Sequence, residues 1–342
     1  MLAYTLRRVL LLIPTFVGIT FIGFSIMLLA PGDPVELFFA GGLAAGTEGV
    51  DPEKLEEAAK AKQELRRELG LDRPIPVQYG LWLGRLLSAD LGQSLKDRQP
   101  VWDKIKARLP VTVTLNVLAI LITYAVAIPL GIYSSVRTGS PFDKISTVAV
   151  FMLYSLPTFW IGTLLIIFFC GGDYFDWFPP AGLQSLDYDP GWPLWRRAAD
   201  YLHHLALPLL CTTYASFAAL SRFMRSSMLE NARQDYVRTA RAKGLSEPVV
   251  ILKHMLRNSL IPIITIFAGI LPALIGGSVI IETIFSVPGL GQLGYQAVLQ
   301  RDYVIVQALF AAGSLLTLVG ILLADLALAM VDPRISFQKA AA

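Results

Sequence analysis

Long runs without a charged side chain dominate the pattern of this chain. The windows without Asp, Glu, Lys or Arg are residues 9–32, 109–136, 145–172, 201–221, 258–281 and 303–324. Five of them exceed the ~18 residues that indicate a transmembrane helix. The fourth is the weakest, because its apolar part begins at Leu205 and gives roughly the minimum length of ~17 residues. No window shows the alternation typical of barrel strands. The pattern predicts an all-α integral membrane protein with six transmembrane helices.

The region between the first two windows is predicted to form an external helical insertion. Asp51 and Pro52 suit the N-cap and first position of a helix, and apolar residues then recur at helical spacing until Gly70. A second amphipathic stretch runs over residues 77–87. The predicted parts of the chain are a first transmembrane helix (1–31), an external region (32–108), a five-helix core (109–331) and a tail (332–342).

The distribution of basic residues predicts the orientation in the membrane. Fourteen Lys and Arg lie in the N-terminus, residues 137–144, residues 222–257 and the tail, whereas three lie in the two short loops on the other side. An excess of Lys and Arg marks cytoplasmic loops, so both termini are expected in the cytoplasm. Lys104, Lys106 and Arg108 favour the opposite orientation locally. The net charge of +3 adds little.

The overall composition agrees with a membrane protein, since 54% of the residues are hydrophobic and 16% are charged. The first apolar run is too long for the core of a signal peptide, which favours an uncleaved first helix. Cys170 and Cys211 fall at or inside apolar windows, so no stabilising disulfide is expected.

No set of residues in the sequence predicts catalysis. The chain lacks a Gly-x-Ser-x-Gly motif, a His-Glu-x-x-His motif and a phosphate-binding Gly-x-x-x-x-Gly-Lys-Ser/Thr loop. The adjacent His203 and His204 project in different directions on a helix and are not predicted to bind a metal. We therefore expect no catalytic residues, no metal and no cofactor bound by this chain. If ATP drives the protein, another chain must bind it.

Two acidic residues touch the apolar windows. Glu282 lies at the outer end of the fifth window and Asp325 towards the inner end of the sixth. Ionisable groups at membrane depth are costly and often functional, although these could also contact lipid headgroups or a cationic neighbour. Gly276 and Gly277 precede Ser278 and permit close approach of two backbones. Ser278 and Glu282 are candidate residues of a pathway or gate.

The loop between the fourth and fifth windows carries the most specific signal. Small residues are interspersed with Arg238, Arg241 and Lys243 just before Gly244. Small side chains permit close docking, and the cations complement an acidic groove. A loop that is only cytoplasmic and basic explains the charge but not the spacing of the small residues.

This loop resembles the coupling loop of ABC-importer permeases. The general pattern of that family is Glu-Ala-Ala, three residues, Gly, nine residues and Ile-x-Leu-Pro. Aligned on Gly244, residues 238–240 read Arg-Thr-Ala and residues 254–257 read His-Met-Leu-Arg, so Glu, Ile and Pro are replaced. These departures match B-type permeases of the dipeptide/oligopeptide branch, which read Tyr-Val-x-Thr-Ala-Arg-Ala-Lys-Gly and His-x-Leu-Arg-Asn. Further segments are similar to the same branch, namely the opening segment and residues 69–95, 109–132, 280–304 and 331–337. The aromatic loop 171–204 resembles Yej-type members, which are associated with longer peptides and microcin C.

The resemblance implies a type I importer permease in a bacterial inner membrane. The implied protein partners are a second (C-type) permease, two ABC ATPase domains or one fused ATPase, and an extracytoplasmic substrate-binding protein. The ATPases bind ATP and Mg²⁺, and the substrate is a peptide. Membrane lipid surrounds the chain, and no nucleic acid is implied. The implied ATPase-docking residues are Asp235, Tyr236, Arg238, Thr239, Ala240, Arg241, Ala242, Lys243, Gly244, His254, Leu256, Arg257 and Asn258.

Other functions remain open from the sequence. Within the family, the substrate could be nickel, glutathione or an oligosaccharide. A secondary transporter driven by an ion gradient would show internal repeats and acidic residues at mid-membrane, and neither is visible. An intramembrane enzyme would need a pair of catalytic groups, which the sequence does not offer.

Overall fold

The structure, a computed structural model, describes residues 2–29, 59–64, 66–67, 72–172, 174–266 and 269–331. These residues are mostly helical and form no β-strand, which confirms the all-α prediction. Residues 59–64 and 66–67 are helical, as predicted for the first stretch of the insertion. Asp51, Pro52 and the tail 332–342 lie outside the described residues.

The helices fall into two series along the chain. Those before the aromatic loop 171–204 are α1 (Leu2–Leu29), α2 (Ile75–Leu87), α3 (Val101–Val136), α4 (Pro141–Ser155) and α5 (Thr158–Phe169). Those after it are α6 (Leu194–Ala232), α7 (Asp235–Ala242), α8 (Glu247–Val249), α9 (Leu256–Ser259), α10 (Ile261–Ile266), α11 (Ile270–Gly276), α12 (Val279–Ile284), α13 (Leu290–Leu299) and α14 (Tyr303–Val331).

Among the described residues, four helices are long and apolar enough to cross a membrane, namely α1, α3, α6 and α14. The window 145–172 forms α4 and α5, which bend by 95° at their junction. Leu156 is extended there, as expected for a residue that precedes a proline. The window 258–281 is divided among short helices. The count of six transmembrane helices therefore stays a prediction.

The described residues of one compact unit are 2–9, 109–172, 174–266, 269–292 and 316–331. Within it, α6 packs against α4, α5, α9 and α10. The C-terminal half of α6 contributes Met224 and Met228 to an apolar core that also contains Val237 of α7. In the same unit, Arg8 Nη1 lies 2.8 Å from Asp325 Oδ2, so this acidic residue has the cationic neighbour anticipated above. The unit thus places the helices of the basic loop directly on a long apolar helix.

A buried ion pair holds the turn between α3 and α4 against α6. Arg225 Nε and Nη2 lie 2.7 and 2.8 Å from the two carboxylate oxygens of Asp143. The Gly139 backbone N–H donates to Asp143 Oδ2 at 2.9 Å, and the Ser134 hydroxyl donates to Oδ1. Both oxygens of the Asp143 carboxylate therefore accept hydrogen bonds, and the Arg225 guanidinium balances its charge.

The described residues of the other unit are 10–29, 59–64, 66–67, 72–108 and 293–315. The amphipathic stretch predicted over residues 77–87 is confirmed as α2, whose Tyr79 is buried. The Tyr79 hydroxyl donates to the Val17 carbonyl at 3.1 Å, and its ring packs edge-on against Phe21. This part of the insertion is thereby fixed on α1.

Candidate functional site

Helix α7 presents one apolar face to the protein and one polar face to the outside. Val237 and Ala240, three residues apart, are buried in the core that contains Met224 and Met228 of α6. Residues at this spacing lie on the same side of a helix. The outer face carries exposed side chains: Tyr236, Arg238, Thr239, Arg241 and Ala242. Of the predicted docking residues on α7, Ala240 thus packs inward, and the others remain accessible.

Gly244 ends this helix in a left-handed conformation. Its φ is +77°, which favours glycine, and a Cβ added there would meet no atom within 4 Å. The Gly244 N–H donates to the Arg241 carbonyl at 2.9 Å, and the Leu245 N–H donates to the Ala240 carbonyl at 3.4 Å. This is the pattern of a Schellman C-cap. The predicted helix end at Gly244 is confirmed, and the space beside it is open to a partner.

The charges of this surface are partly balanced within the loop. Arg241 makes two hydrogen bonds to the Glu247 carboxylate, at 2.8 and 3.2 Å. Arg238 lies 3.6 Å from Asp235, and both side chains are highly exposed. Exposed pairs of this kind contribute at most about 1 kcal/mol, so a partner could replace them. In the described part of the chain, Lys243 has no carboxylate within ion-pair distance.

The second half of the predicted loop returns to the same helix. Val250–Met255 forms a π-helical turn, a rare conformation that often occurs at functional sites. Val250 and Met255 join the core that holds α7. The Ser227 hydroxyl of α6 donates to the Ser259 carbonyl at 3.1 Å. Both halves of the loop are therefore anchored on α6. Of the later candidates, Arg257 is exposed, and His254, Leu256 and Asn258 are half-buried.

Glu282, by contrast, is fully enclosed in protein. Its carboxylate accepts hydrogen bonds from the Gln292 N–H at 2.7 Å, the Ser278 N–H at 3.3 Å and the Thr112 hydroxyl at 3.3 Å. The Thr112 oxygen also accepts from the Leu290 N–H at 2.7 Å. The carboxylate, which belongs to α12, thus joins α3 through Thr112 and the first turn of α13 through Gln292.

Glycines make room for this carboxylate. A Cβ added at Gly289 would lie 2.4 Å from Glu282 Cδ. At Gly277, where φ is +61°, a Cβ would lie 2.5 Å from the Gly291 nitrogen, which confirms the predicted close approach of two backbones. Ser278 caps α12 by accepting from the Ile281 N–H. A role of Ser278 and Glu282 in a pathway stays a prediction; the contacts observed here join the helices around them.

We expect Glu282→Gln to destabilise the protein by about 2 kcal/mol. The glutamine NH₂ would face backbone N–H donors, and the charge-assisted hydrogen bonds of the carboxylate would be lost. Thermal unfolding in detergent measures this change. Glu230→Gln, at an exposed position on α6, is the matched control and should change stability little. Equal unfolding temperatures for the two variants would contradict the structural role.

The described residues contain no group of three or more His, Cys, Asp or Glu that could hold a metal ion. His203 Nε2 lies 2.8 Å from the Trp177 carbonyl, and His204 Nδ1 lies 2.9 Å from the Asp200 carbonyl. Both imidazoles therefore contact nearby backbone carbonyls.

Comparison with protein families covers nearly the whole chain. Residues 127–337 match the family described as "Binding-protein-dependent transport system inner membrane component". Residues 1–116 match the N-terminal membrane component of such transport systems. The chain belongs to this family. Membership confirms the resemblance drawn from the loop motif. It also confirms a multi-pass membrane subunit of a transport system rather than an enzyme.

Individual relatives align over nearly their full length. The oligopeptide transport system permease protein AppB of Bacillus subtilis is 39% identical over 338 residues, covering 98% of this chain and 100% of the relative. The peptidoglycan transport system permease protein YejB of Agrobacterium fabrum is 37% identical over 368 residues, with 98% and 99% coverage. The dipeptide transport system permease protein DppB of Escherichia coli K12 is 36% identical over 355 residues, with 99% and 100% coverage.

Proposed function

We propose that this chain is the permease subunit of an ATP-driven importer of di- and oligopeptides. It forms half of the translocation path, and a second permease of the C type completes it. The observation that carries the proposal is the anchored loop: α7 is fixed on α6 by Val237 and displays an exposed, cationic face that ends at the open Gly244.

That exposed face docks an ATPase subunit. Two ATPase domains, separate or fused, bind ATP and Mg²⁺, and an extracytoplasmic binding protein delivers the peptide. The loop therefore lies in the cytoplasm together with both termini, in agreement with the basic residues at 222–257. Because Val237, Val250 and Met255 share one core with α6, a movement of the ATPases would be passed to that helix. The permease would then shift between inward- and outward-facing arrangements.

The peptide class is supported by the branch-specific loop sequence and by the relatives, whose names refer to oligopeptide, dipeptide and peptidoglycan transport. The substrate panel of a transport assay should therefore include a dipeptide, a longer peptide and a peptide-bearing cell-wall fragment. Nickel, glutathione and an oligosaccharide serve as competing substrates within the family.

Reconstitution in liposomes tests the proposal. We expect ATP-dependent uptake of peptide only when this chain is combined with the second permease, the ATPases and the binding protein. Omission of the ATPases should abolish uptake, because this chain has no nucleotide-binding motif. Uptake driven by an ion gradient without ATPases, or ATP hydrolysis by the isolated chain, would contradict the proposal.

A further inference from the structure

The end of one charge-free window and the start of another lie next to each other at Arg222. Arg222 is the first charged residue after the window 201–221 on α6, and Lys144 is the last before the window 145–172 on α4. Arg222 Nη1 donates to the Thr147 hydroxyl at 2.8 Å, which brings the two helices together here. A charge directly after an apolar span lies at the boundary of the membrane, where lipid phosphates are found.

The positive charge of Arg222 is not balanced within the described chain. Its guanidinium lies over the Phe151 ring, 4.7 Å from the centroid, and no carboxylate of the described residues lies within ion-pair distance. Arg225, one turn along α6, is by contrast paired with Asp143 through two hydrogen bonds. A guanidinium has five N–H donors, so Arg222 retains donors for an anion.

Beside Arg222 lies a surface cavity of about 390 Å³ between α4 and α6. Its apolar wall includes exposed aromatic side chains, with Phe151, Tyr154 and Phe223 at 55%, 61% and 58% exposure. At one end of the cavity is Tyr154, ten residues beyond Lys144 and inside the apolar window 145–172. At the other end is Ser226, one helical turn after Arg222 and within the basic segment 222–257. Polarity therefore changes along the cavity from polar through cationic to apolar. A phospholipid has the same order of headgroup, phosphate and acyl chains.

We propose that this cavity binds an anionic membrane phospholipid, with its phosphate on Arg222 and its acyl chains along Phe151 and Tyr154. The lipid belongs to the leaflet on the side of the 222–257 loop. A basic pocket between transmembrane helices at this depth suits an anionic headgroup, and the guanidinium provides paired donors for phosphate oxygens. None of the residues that line this cavity belongs to α7, so the site is separate from the face that is proposed to dock the ATPase.

Photocrosslinking on the full-length chain tests this site. A photoreactive benzoyl-phenylalanine replaces the exposed Phe223, and the chain is reconstituted in phosphatidylcholine vesicles with or without phosphatidylglycerol. We expect phosphatidylglycerol to be recovered on the chain in preference to phosphatidylcholine. Arg222→Gln should lower the affinity for phosphatidylglycerol about tenfold, because one charge-assisted contact is lost. Arg222→Lys should retain part of it, and inorganic phosphate should not compete.

Arg137→Gln is the matched control. Arg137 is another cation near the same end of α4, it lies over the Tyr133 ring, and it does not line the cavity. This variant should bind phosphatidylglycerol as the wild type does. Equal recovery of the two lipids by the chain with Arg222 intact would overturn the proposal, and so would an unchanged affinity in Arg222→Gln. Adducts to the second permease instead of lipid, in the reconstituted complex, would assign the cavity to a protein interface.

Discussion

Gly244→Val is expected to abolish ATP-driven transport while leaving the chain inserted in the membrane. Gly244 has a φ of +77°, a conformation that a β-branched residue adopts only with strain. Its surroundings within the chain are open, so a valine side chain would project into the space where the ATPase is proposed to dock. We expect the affinity for the ATPase subunits to fall at least tenfold, as measured by pull-down and by peptide-stimulated ATP hydrolysis.

Gly139→Val provides a control of equal backbone strain. Gly139 has a φ of +81° and also has no atom within 4 Å of an added Cβ, but it lies in the turn before α4, outside the loop 222–257. Both variants should lose a similar amount of stability, about 1–3 kcal/mol. Only Gly244→Val should lose the ATPase. If the two variants retain the ATPase equally, Gly244 is not part of the docking surface.

Arg225→Ala is expected to cause the largest loss of stability, about 3–5 kcal/mol, because it leaves the buried Asp143 carboxylate without its cation. The Asp143 side chain is 5% exposed and the Arg225 side chain 21% exposed. The remaining donors, the Ser134 hydroxyl and the Gly139 N–H, are neutral. Thermal unfolding of the purified chain in detergent measures the change.

The comparison for this variant is Arg241→Ala, which breaks the bidentate but exposed pair with Glu247. Exposed pairs contribute about 0–1 kcal/mol, so this variant should unfold almost as the wild type does. In the double variant Arg225→Ala/Asp143→Ala, part of the lost stability should return, because the unpaired buried charge is removed. Equal losses for Arg225→Ala and Arg241→Ala would show that the buried pair does not hold α4 on α6.

The sequence predicted those features that depend on local pattern. Charge-free windows locate α1, α3, α6 and α14, because a helix that crosses lipid needs a continuous apolar segment. The end of α7 was also predictable, since a glycine after a short polar helix suits a left-handed cap. The inward position of Ala240 was missed, although its spacing of three from the apolar Val237 carries that signal.

Features that depend on distant contacts could not be predicted. The enclosure of Glu282 depends on Thr112, which is 170 residues earlier in the chain. The donors that surround the carboxylate come from α3, from the N-cap of α12 and from the first turn of α13, and the sequence does not indicate that α3 meets the other two. Likewise, the window 145–172 was predicted as one transmembrane helix, whereas the chain bends by 95° between α4 and α5, an angle that depends on how α5 packs against α6 and α12. The pairing of Arg241 with Glu247 was also missed, because it forms only once the chain has turned at Gly244.

Crosslinking from the outer face of α7 tests most directly whether this loop docks the ATPase. A cysteine replaces the exposed Thr239, and a second variant carries one at Asp187, a highly exposed position in the loop before α6. The native Cys170 and Cys211 are buried and should react little. In the assembled complex, position 239 is predicted to crosslink to an ATPase subunit and position 187 is not. The absence of an ATPase adduct at position 239 in an active complex, or an adduct at position 187, would contradict the assignment of this loop.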